Sequence, residues 1–60
     1  MTADELKQAR KALGLSQMAL SRALGVDGRT VRRWEAGDSI IPPFLPLALE
    51  AVKYRQEKMK

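Results

Sequence analysis

Three arginines, Arg29, Arg32 and Arg33, stand at i, i+3 and i+4 in the run Arg29-Thr30-Val31-Arg32-Arg33-Trp34. On a helix this spacing gathers them on one face, while Val31 and Trp34 fall on the other. A guanidinium is a planar fork of N–H donors that matches phosphate and the O6/N7 edge of guanine, where a lysine offers only a point charge. Like charges packed onto so short a helix repel one another, which favours an anionic partner over a merely solvated face. The chemistry on offer is recognition of an anionic, hydrogen-bonding ligand, and guanine-bearing duplex DNA fits it.

Other chemistries lack their residues. There is no His and no Cys among the 60 residues, which removes the usual general base, the nitrogen and thiolate metal ligands and any disulfide framework. The acids Asp4, Glu5, Asp27, Glu35, Asp38, Glu50 and Glu57 read mostly as caps or charge partners, and no phosphate-cradling glycine loop is present. Catalysis, a metal and a cofactor are therefore not expected. Eleven Lys and Arg against seven Asp and Glu give a net charge of +4 and a pI near 10.0, a balance that attracts polyanions. No apolar run approaches the roughly 18 residues of a membrane span, and an N-terminus with Asp4 and Glu5 is unlike a signal peptide. The expectation is a soluble, cytoplasmic, single-domain protein spanning residues 1–60, near the lower size limit for a self-sufficient core.

The elements that must position the arginines follow from caps and periodicity. Thr2-Ala3-Asp4-Glu5 reads as a capping box opening a first helix. Leu6, Ala9, Arg10 and Leu13 then recur at helical spacing, and Gly14 supplies the stop. Ser16 is placed to N-cap a second helix ending near Leu24, with Gln17 in its first turn and Leu20, Ala23 and Leu24 on its buried side. Gly25 accepts the positive φ past that helix, Asp27 is the expected N-cap of the next, and small Ser21 lets the two cross closely. The third helix is expected from about Gly28 to Ala36, with Gly37 as its terminator and Trp34 in the core. A fourth begins around Phe44, since Pro46 is tolerated only in a first turn. Pro42 and Pro43 stiffen the loop before it.

Gln17, Ser21, Gly25, Val26, Val31 and Trp34-Glu35-x-Gly37 together resemble the helix-turn-helix of the Cro/C1 phage-repressor family, also called the XRE family. Arg10 and Pro42-x-Phe44-Leu45-Pro46 extend the resemblance over roughly residues 2 to 52. It implies an all-α fold, a compact four-helix lambda-repressor-like DNA-binding domain whose second and third helices form the helix-turn-helix. It also implies a partly buried ion pair between Arg10, otherwise an odd charge on an apolar stripe, and Glu35. The alternative to the pair is that Arg10 extends outward along its methylenes and Glu35 is merely solvated. By the same resemblance Gln17 contacts the DNA backbone, and the base-reading positions fall on Gly28, Arg29 and Arg33.

Gly28 departs from the pattern, having no side chain to read with. Its expected contribution is a closer approach of the helix to the groove. Arg29 and Arg33 then carry specificity, with Arg32 reading a base or holding a phosphate and Thr30 as a phosphate ligand. The loop from Gly37 to Pro43 has no Lys or Arg where the family places a cation, leaving Ser39 and backbone N–H groups as its DNA contacts.

On the fourth helix Leu45, Ala48, Leu49 and Val52 form one apolar stripe, and Phe44, Leu47, Ala51 and Tyr54 form a second. The first completes a core. The second suggests a homodimer through the fourth helix, although the separate fifth helix of the resembled domains is missing. Lys53, Arg55, Lys58 and Lys60 read as a solvated end. The function expected is sequence-specific binding of double-stranded DNA at an operator, with repression as the default outcome. Two alternatives stay open: a protein-interaction module, antitoxin-like or a phage adaptor using the fourth-helix surface, and a nucleic-acid binder without sequence preference.

Overall fold

The computed structural model describes residues 1–58; Lys60 lies outside the described residues. Four helices follow one another, α1 (Ala3–Ala12), α2 (Gln17–Leu24), α3 (Thr30–Ala36) and α4 (Leu45–Lys58), with no strand among the described residues. α3 packs on both α1 and α2, and α4 closes against α2.

Each boundary has a local cause. At the start of α1 the Glu5 N–H donates to Thr2 Oγ1 at 3.1 Å, and the Thr2 N–H donates to Glu5 Oε1 at 2.8 Å. Two otherwise orphaned donors are satisfied reciprocally. These bonds, the backbone one first, hold the Glu5 carboxyl below its ordinary value. Ser16 Oγ accepts the Ala19 N–H at 3.0 Å and opens α2. Gly25 at φ 75° and Gly37 at φ 79° end α2 and α3. At each end the following N–H reaches back five residues, Val26 to the Ser21 carbonyl and Asp38 to the Arg33 carbonyl, both at 3.0 Å. This is the Schellman closure, which only a left-handed residue permits at low cost.

The third helix starts later than its residues suggest. Asp27 is not its N-cap. Its carboxylate accepts the Arg29 N–H at 2.8 Å and its carbonyl accepts the Thr30 N–H at 2.9 Å, building a turn through Gly28 and Arg29. An Asp side chain two residues from a donor makes such an Asx turn readily, and it competes with capping. Arg29 is the half-in residue. Its backbone is already αR, and its carbonyl accepts the Arg33 N–H at 3.0 Å.

The core is Leu6, Leu20, Val31, Trp34, Leu45, Leu49 and Val52, with Ala9, Leu13, Leu15, Leu24, Ile41 and Ala48 packed around it. Each helix donates one stripe, and Gln56 Nε2 ties α4 to the Leu13 carbonyl beyond α1 at 3.1 Å. Ala23 is exposed, contrary to its place in the expected stripe of α2. The buried arc of that helix is centred on Leu20, Ser21 and Leu24, and Ala23 lies about 100° from its centre. Ser21 is fully buried, as a close helix crossing requires, and its hydroxyl donates to the Gly28 carbonyl at 3.5 Å.

Candidate nucleic-acid interface

The arginine face is built from the inside outward. Val31 and Trp34 are buried against the core, which fixes the rotation of α3 about its own axis. With that rotation set, Arg29, Arg32 and Arg33 are all exposed on the opposite side. None of the three takes part in an ion pair among the described residues. Because Arg29 is helical in its backbone, the late start of α3 does not disturb the stripe. Thr30 is half-buried at the edge of this face, and Ser39 is exposed in the loop after α3.

Behind that surface lies a polar cluster. Arg10 Nε donates to Glu35 Oε2 at 2.7 Å and Arg10 Nη2 to Glu35 Oε1 at 3.2 Å, a two-pronged pair between α1 and α3. A third donor, Arg10 Nη1, reaches the Leu15 carbonyl at 2.9 Å. The side chains are 13% and 4% exposed respectively, so the pair is largely removed from water and Arg10 does not extend into solvent. Gln17 joins it, its Nε2 donating to Glu35 Oε1 at 3.3 Å. One carboxylate thus links the first turn of α2 to the last turns of α3 and α1. The Gln17 and Leu15 contacts are not legible in the residue pattern, since they join polar atoms across three segments of unrelated spacing.

Gly28 has a different role from the one its type suggests. Its φ is not in the left-handed region, so the backbone does not demand glycine there. What stands in the side-chain space is the end of Met18: a Cβ on residue 28 would lie 2.5 Å from the Met18 sulfur and 3.2 Å from its terminal methyl, so a larger residue there would have to turn this flexible side chain aside. The space expected to bring α3 closer to a groove is occupied by a thioether from α2. The sequence did carry a faint signal, because Met18 is a large apolar residue off the buried arc of its helix, and it is 52% exposed.

On α4, Leu45, Leu49 and Val52 are buried, whereas Leu47, Ala51 and Tyr54 are exposed, as is Phe44 immediately before the helix. Lys58 Nζ lies 5.7 Å from the centre of the Tyr54 ring. Among the described residues, no helix is long and apolar enough to cross a membrane.

Comparison with family models finds a match to a model described as helix-turn-helix over residues 6–45, more than half the chain. Neither the curated proteins nor the solved structures give a match.

Proposed function

The chain belongs to the Cro/C1-type (XRE) helix-turn-helix family and is a DNA-binding regulator of that type; on this premise we propose that it is a repressor that reads an operator with α3 in the major groove. The reading takes residues 1–60 as one helix-turn-helix domain acting in the cytoplasm, on double-stranded DNA. Its strongest support is the exposed face of Arg29, Arg32 and Arg33, held outward by buried Val31 and Trp34 and not neutralised by any ion pair among the described residues. Arg29 and Arg33 are one helical turn apart on that face, so both forks can address base edges. Arg32 reads a neighbouring base or holds a phosphate. Gln17, in the first turn of α2 with one amide N–H on Glu35, together with Thr30 and with Ser39 in the loop after α3, serves the DNA backbone, which sets register without reading sequence.

A dimer completes the proposal. Phe44, Leu47 and Tyr54 on one side of α4 supply an apolar surface for a second copy. A two-fold pair would present two α3 helices to half-sites about 34 Å apart, or a multiple of that. Occupying such a site excludes polymerase from an overlapping promoter.

Selection from random duplex DNA at stated salt tests this directly. The expected result is a G-containing, two-fold symmetric consensus. On the selected site, Arg29→Ala or Arg33→Ala should each cost roughly 1–3 kcal/mol and relax preference at one position. Equal losses on every sequence would reduce the arginines to phosphate ligands and overturn base reading.

A further inference from the structure

We infer that Met18 is a specificity-determining residue, an apolar reader of a thymine methyl group lying beside the arginine face. The inference rests on the proposed operator-reading function and deepens it. Its starting point is the vacancy at Gly28, whose backbone would accept a side chain but whose side-chain space is filled by the Met18 sulfur and terminal methyl. A residue on α2 thus stands where residue 28 would project, directly before Arg29.

The backbone on both sides of this contact is anchored. Ser16 caps the turn of α2 that carries Met18, and buried Ser21, one turn on, holds the Gly28 carbonyl. Met18 as a residue is nonetheless 52% exposed. Covering a glycine does not require a long, exposed thioether, and an exposed apolar side chain next to an arginine face costs solvation until it meets apolar surface. The major groove offers one such surface, the C5-methyl of thymine. A thioether with three rotatable bonds adapts to it readily.

The experiment uses the full chain and the site selected from random DNA. Each thymine is replaced in turn by deoxyuridine, which removes only the methyl. For the unaltered protein one substitution per half-site should weaken binding about four-fold, the factor for one buried methyl-sized group at ~0.8 kcal/mol. With Met18→Ala, and separately with Met18→Gln, that penalty should vanish while the guanine preferences persist. Circular dichroism should show unchanged helicity. A consensus obtained without any deoxyuridine-sensitive position, or a penalty that survives both substitutions, overturns the role of Met18 and leaves operator reading intact. Failure to obtain any consensus overturns both.

Discussion

Truncating Arg10 to alanine probes the cluster that holds the binding surface together. The variant would leave Glu35, 4% exposed, as a buried carboxylate without its cation, and the Leu15 carbonyl without its donor. Removing one partner of a buried pair typically costs about 3–5 kcal/mol, mostly the penalty of the stranded charge. A 60-residue domain at roughly 0.05–0.15 kcal/mol per residue has only about 3–9 kcal/mol in total. Arg10→Ala should therefore consume much of the stability and lower Tm by more than about 10 °C, at ~4–8 °C per kcal/mol for a domain of this size.

The reverse truncation, Glu35→Ala, should cost less. It leaves Arg10, which at 13% exposure is closer to water and keeps its bond to Leu15. The double variant strands neither charge, so its loss should fall short of the sum by about 1–3 kcal/mol. Urea titrations followed by circular dichroism at neutral pH, with equal m-values required across the cycle, would measure this. A coupling below about 0.5 kcal/mol would refute the reasoning, as would an Arg10→Ala variant that loses less than about 1 kcal/mol.

If Gln17 holds the DNA backbone as proposed, Gln17→Ala should weaken binding to all duplexes by the same factor, because such a contact carries no base information. It should also lower the urea midpoint slightly as one hydrogen bond to Glu35 is lost, and an altered consensus on reselection would contradict its assignment. Leu47→Glu should abolish the proposed self-association without loss of helicity, since Leu47 is 71% exposed; an unchanged mass by light scattering would remove α4 from the proposed dimer. For Glu5 the folded value lies below the free one. Its contribution is therefore present above the ordinary value of 4.5 and is lost as the pH falls through the depressed folded value. Glu5→Gln, which can keep the capping geometry, should flatten that part of the acid limb of urea midpoint against pH, and an unchanged limb would show that other carboxylates set it.

Local chemistry alone determined the helix starts at Thr2 and Ser16, the glycine stops at Gly25 and Gly37 and the division of α3 into an arginine side and a Val31/Trp34 side, because caps, left-handed residues and helical period act within a few positions. It was misleading at the start of α3, where the Asp27 side chain has two local uses and makes an Asx turn instead of a cap. What needed the tertiary structure was every relation between segments. The helices had to pack before Arg10, Gln17 and Glu35 could meet, before Ala23 could be seen to miss the buried arc, and before Met18 could lie over Gly28. The pairing of distant residues depends on crossing angles and side-chain volumes that no window of sequence contains.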